Sequence, residues 1–142
     1  MRILATLILA AVLPSAQWRL VGETKVEHFY VSDARTDRDG GRVRRWEKIV
    51  PATEARRREY VRLLSGLVGE KKAAGFSHDL TRREYDCPGG VARTVAQLYQ
   101  DGEGGLVYET PAEDLGRWRS PSPDSAEETL MLDACKREPE KY

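Results

Sequence analysis

Leu80-Thr81-Arg82-Arg83-Glu84-Tyr85-Asp86-Cys87 ends on one of only two cysteines in the 142-residue chain. Its period-two alternation predicts a strand with Thr81, Arg83, Tyr85 and Cys87 on one face. The other cysteine, Cys135, closes the last predicted helix, 48 residues further on. In an oxidising compartment an even pair permits one intramolecular bridge, which would lock that helix to the sheet. A loop of that length corresponds to about 4 kcal/mol in the chain-entropy account. In the reducing cytosol the same residues would instead be two unpaired buried thiols.

The N-terminus favours export. Met1-Arg2 precedes a predominantly apolar run of eleven residues, Ile3 to Leu13, and then Pro14-Ser15-Ala16. One positive charge, a short apolar stretch and small residues near a cut are the pattern of a secretory signal, here residues 1–16. Such a run falls short of the roughly 20 residues needed to cross a bilayer as a helix. No cysteine follows it, so no lipid anchor is expected, although a basic surface can still associate with a membrane. What remains suits one domain over 17–138, with an inserted helical segment at about 51–75 and a tail at 139–142.

Charges balance at 23 basic and 23 acidic side chains, but unevenly. Arg35 to Arg62 holds ten basic and five acidic residues, whereas Asp101 to Tyr142 holds five basic and eleven acidic. Such a dipolar surface steers an oppositely charged partner or favours self-association. Near-neutrality together with export argues against nucleic acid as that partner.

Taken in order, Gln17 to Val21 and Val26 to Val31 read as two short strands, and Ser32-Asp33-Ala34-Arg35 as a turn leaving the sheet. Asp39-Gly40-Gly41 supplies a hairpin connection into a third strand, Arg42 to Val50. Its alternation is imperfect, since Arg45 and Glu47 share a face with Val43 and Ile49. Pro51 ends it. Thr53 then caps a helix to Val68, in which Tyr60, Val61, Leu64, Leu67 and Val68 recur at helical spacing. Glu70 to Gly75 reads as a polar linker. After Cys87, Pro88-Gly89-Gly90 turns into Val91 to Gln100, with Ala92, Thr94, Ala96 and Leu98 predicted on one small-residue face. Asp101 to Gly105 turns into a last strand, Leu106 to Thr110. Trp118 is expected to plug the core. Asp124 or Ser125 caps the final helix, whose apolar side carries Ala126, Leu130, Met131, Ala134 and Cys135. The prediction is an α+β fold: about six antiparallel strands, a terminal helix stapled to the sheet and an inserted basic helix.

Several local patterns coincide in order and spacing. They are Trp18 after the signal, Phe29-Tyr30-Val31-Ser32-Asp33, Val43-Arg44 with Trp46, Tyr85-Asp86-Cys87, and Trp118-Arg119 with Pro121, Pro123 and Ser125. Over residues 17–135 the chain resembles the bacterial surface-adhesin protein E family. The resemblance implies a six-stranded antiparallel sheet whose concave face holds a C-terminal helix, tied there by a Cys87–Cys135 disulfide. It also implies a homodimer, and adhesion to host matrix and serum proteins such as vitronectin and laminin.

The candidate ligand-binding residues are basic. Arg56, Arg57, Arg58 and Arg62 on the inserted helix, with Arg44 and Arg45 next to Arg42 on the third strand, form clusters of the kind that hold acidic proteins or sulfated polysaccharides. The bland reading of such runs is a solvated helix face. His28 and His78, even with Asp33 or Asp79, make a poor metal site, and Asp37-x-Asp39-Gly40 lacks the glutamate that ends a calcium loop, position 46 being Trp. Neither glycine cluster opens a helix as a phosphate loop must, and no Ser/His/Asp spacing selects a triad. The expected function is therefore non-catalytic and cofactor-free: an exported envelope protein that binds a macromolecule. The alternative is a periplasmic structural or regulatory protein with no host ligand.

Overall fold

Alternating segments punctuated by glycine turns make a meander. In the computed structural model, which describes residues 17–136, six strands form one antiparallel sheet in the order of the chain. They are β1 (Arg19–Glu23), β2 (Glu27–Asp39), β3 (Arg42–Pro51), β4 (Phe76–Asp86), β5 (Val91–Asp101) and β6 (Leu106–Glu109). Gly40, at φ 60°, makes the β2–β3 turn that a residue with a Cβ would strain. Its neighbour Gly41 lies so close to Pro88 that a Cβ would come within 2.5 Å of the proline ring. The expected signal and the tail at 139–142 lie outside the described residues.

Two helices and the disulfide complete the predicted architecture. α1 (Glu54–Val68) begins where Thr53 accepts a hydrogen bond from the Arg56 amide, and a short helix, α2 (Glu70–Ala73), follows where the sequence suggested only a polar linker. α3 (Ala126–Lys136) is capped by Ser125, whose hydroxyl accepts the Glu128 amide at 3.1 Å. Cys87 at the end of β4 is bonded to Cys135 in the last turn of α3. Both helices cover the same face of the sheet. α3 closes a core of Phe29, Val31, Val43, Tyr85 and Ala92 with Leu130 and Ala134, whereas α1 closes a second one of Leu64, Ala73, Phe76 and Val107. Tyr60 stacks on Phe76 with ring centroids 4.9 Å apart. Among the described residues no helix is long and apolar enough to cross a membrane.

Three local expectations are corrected. Ser32 to Arg35 does not leave the sheet: β2 runs on to Asp39, and residues 32–35 form a bulge between the pairs Val31–Glu47 and Thr36–Arg45. Ser and Asp prefer local backbone bonds, and here Thr36 Oγ1 donates to the Ser32 carbonyl at 3.0 Å, so their turn chemistry bends a strand instead of ending it. A second bulge falls at Val95, between the pairs Arg82–Ala96 and Arg83–Thr94. It flips the parity of β5. Gln97 and Tyr99 therefore follow Ala92 and Thr94 on the helix side, and Ala96 and Leu98 face away. Trp118 does not plug the core; it lies half-buried on the far side of the sheet, between Arg42 and Arg93.

Candidate binding surface

The six candidate arginines have different fates. Arg56 directs Nε and Nη2 onto one carboxylate oxygen of Glu27, which also accepts the Tyr60 hydroxyl at 3.0 Å. Arg57 donates to the carbonyls of Phe76 and Ala74. Both therefore fasten α1 to the start of β4 and to β2. Arg58 and Arg62 point outward beside Leu63 and Leu67, which are 61% and 54% exposed.

On β3 the alternation that looked imperfect separates two environments. Arg45 faces the helix side and is 1% exposed, so it offers no surface to a macromolecule; this corrects its place among the candidates. Its Nε donates to Glu47, Nη1 to Asp133 and Nη2 to the Leu130 carbonyl, the last two at 2.7 Å. The sheet thus grips α3 through one guanidinium. Burial pushes the Asp133 carboxyl up, but hydrogen bonds and charge from Arg19 and Arg45 outweigh it and hold the group below its ordinary value. Glu47 also accepts the Tyr85 hydroxyl. Further along this layer, burial pushes Asp79 up to about 6 despite hydrogen bonds from Thr81 at 2.7 Å and Gln97 at 3.1 Å.

Arg44 faces the other way, where no helix lies among the described residues. Register joins Asp37 to Arg44, Arg44 to Glu84 and Glu84 to Arg93 in one row across four strands. Glu84, 4% exposed, is held by Arg44 at 2.5 Å, Arg93 at 3.2 Å and Arg42 at 3.5 Å. Burial pushes its carboxyl up, yet Arg44 and Arg93 win and bring it below the usual range. One enclosed carboxylate thereby holds three guanidinium groups, two of which, those of Arg42 and Arg44, line a cleft of about 280 Å³. Trp118 stacks on the same cluster, its ring centroid 4.5 Å from the Arg93 guanidinium carbon.

The chain's other two tryptophans repeat the arrangement. Lys48 lies over Trp18 at 5.7 Å and Arg82 over Trp46 at 6.0 Å. All three rings are half-buried on the bare face. Sequence reasoning singled out Arg42 and Arg44 here but neither Trp46 nor Lys48 as a binding residue, although all four recur with period two on the solvent side of β3. The remaining partners, Arg82, Arg93 and Trp118, come from other strands, so only register shows the grouping. The metal candidates lie apart: His28 faces Glu23 at 3.4 Å, and His78 is buried against Ser77 and Gln100. Asp37 and Asp39 line the arginine cleft.

Comparison with known proteins agrees with the fold. The model of the family described as surface-adhesin protein E matches residues 18–136. No curated protein and no solved structure gives a significant match. The match spans both cysteines and every strand of the sheet. On that match the chain belongs to the surface-adhesin protein E family.

Proposed function

We propose that this chain is an exported adhesin domain that acts by binding and not by catalysis, and that it holds a sulfated polysaccharide on the bare face of its sheet. The observation that carries this reading is that every tryptophan of the sequence sits half-buried on that face beside a cation, those at Trp118 being held in turn by Glu84. A guanidinium held against an indole has already lost much of its rotamer freedom, so an anionic ligand is met by preorganised charge. The aromatic plates offer apolar contact to sugar rings between the anionic groups. The pairs recur across the sheet, on β1 with β3, on β3 with β4, and on β5 with the segment after β6, a few inter-strand spacings of about 4.8 Å. A repeating linear polymer with a negative group in each unit suits such a surface better than a single compact anion does. Host matrix or serum proteins with acidic patches are the second class of partner that the family suggests.

Binding of the mature protein to immobilised heparin, vitronectin and laminin tests the assignment. Trp46→Ala with Arg82→Gln should weaken heparin binding about tenfold or more, about 1.4 kcal/mol. Arg58→Glu with Arg62→Glu should leave it nearly unchanged, because α1 lies on the opposite face. The reverse pattern would move the site to α1, and retention on vitronectin alone would favour a protein ligand. Cell fractionation decides between this reading and its rival, since a protein confined to the periplasm and free of any such ligand would be a structural or regulatory envelope component.

A further inference from the structure

The helix-bearing face holds a different feature, a groove of about 560 Å³ between the first turn of α3, β5 and the segment 114–119. That volume lies in the range of small-ligand sites. Its wall includes Thr94 and Gln97, its rim Arg117 and Arg119, and Arg83 reaches into it from β4. The Arg83 side chain is 11% exposed, and its buried Nε makes no hydrogen bond. The approach of Nε to Glu47 is 3.3 Å and that of Nη1 to Glu127 is 3.9 Å, both ion-pair contacts without hydrogen-bond geometry. Nε is thus turned to Glu47, and the end of the guanidinium carrying Nη1, near Glu127, is the part that borders the groove with donor capacity to spare. One carboxylate already stands at the mouth. Glu127 lies 3.1 Å from Arg119 and shares the same oxygen with Arg83.

We propose that this groove recognises carboxylate groups, with Arg83 as its anchor, Arg119 as its outer clamp and Glu127 as an internal competitor that the ligand displaces. A guanidinium fork takes a carboxylate in two parallel hydrogen bonds, and Glu127, whose one oxygen is already shared by Arg83 and Arg119, is an instance of the group that this pair accepts. Arg117 on the same rim suits a second carboxylate, so the ligand is an acidic peptide segment or a free dicarboxylate. Trp118 borders both sites, but the residues varied to test this one, Arg119 and Glu127, belong to the groove, whereas Trp46 and Arg82 belong to the bare face, so either can fail alone.

The test is calorimetric titration of the full disulfide-bonded chain with a triglutamate peptide, with succinate and with inorganic sulfate. Binding of the peptide, of succinate or of both is the expected result, and which one binds identifies the source of the carboxylate. Arg119→Gln should weaken that binding about tenfold, and Glu127→Gln should strengthen it several-fold by removing the rival carboxylate. Arg83→Met should abolish it, but removes one of the two guanidinium groups beside the buried Glu47 and can unfold the chain. The two rim variants, at the exposed Arg119 and the half-buried Glu127, therefore decide the matter. Sulfate binding equal to that of the carboxylates would mean an adventitious ion only and would overturn the proposal. So would an unchanged or weaker affinity in Glu127→Gln, or the absence of binding by either carboxylate probe.

Discussion

Arg45 and Glu47 interrupt the apolar face of β3, and the sequence reading registered them only as a flaw in its alternation. They are a buried pair: both side chains are 1% exposed, and Arg45 spans from strand to helix. Periodicity cannot distinguish such a pair from a misplaced strand, because the partners Asp133 and Leu130 lie some 85 residues away. Removing Arg45 alone leaves Glu47 enclosed with its main counter-charge gone. Arg45→Met should therefore cost about 3 kcal/mol or more in denaturant unfolding, and adding Glu47→Leu should recover part of the loss. Asp79 is shifted in the opposite sense to Glu84 and Asp133. Its folded-state value of about 6 lies above the ordinary 3.8, so the folded chain holds this proton more firmly than the unfolded one. Its ionisation consequently removes stability as pH rises from about 4 through 6. Asp79→Asn should be more stable than the parent at pH 8, by up to roughly 2 kcal/mol, and the gain should vanish towards pH 4 in paired thermal melts.

At the level of elements, hydrophobic spacing was a good guide where one face meets water and the other a core. α1 and α3 were legible for that reason, down to Thr53 and Ser125 as caps. Bulges were not. Nothing in the composition of Ser32 to Arg35 separates a turn that ends a strand from one absorbed within it; the outcome depends on β3 supplying partners on both sides of Trp46. The bulge at Val95 carries no sequence mark at all, yet it decides which half of β5 faces the helices. α1 is an integral part of the fold although it reads as an insertion. Leu64 on it is fully buried, whereas Leu63 is 61% exposed. Leu64→Ala should cost about 3 kcal/mol and Leu63→Ala less than about 0.5 kcal/mol, a contrast that equilibrium urea unfolding would resolve. Equal small effects would mean that α1 docks only loosely.

For the molecule as a whole, the one cross-link joins the fourth strand to the last helix across 48 residues. Replacing Cys87 and Cys135 by Ser should remove about 4 kcal/mol, and so lower the melting temperature by more than about 10 °C. An unchanged melt would show that the ion pairs of Arg19 and Arg45 with Asp133 suffice to hold α3. The pairing itself was legible, since two cysteines allow only one partner each. The division of labour between faces was not. It rests on three tryptophans and their cations being brought together by strands remote in sequence, and on Arg83 being enclosed with few partners, neither of which any spacing reveals.

Arg19, in the first strand, donates to Asp33 and to Asp133 of the final helix, and Gly22 lies close enough to Thr129 that a Cβ would touch its methyl. The two extremities of the described chain therefore complete each other. In a polypeptide that emerges from its amino end, β1 can pair with β2 early, but its contacts with Thr129 and Asp133 must wait for the last dozen described residues. The last joint of the domain, between its first strand and its final helix, is consequently one that no shorter stretch of the chain can make.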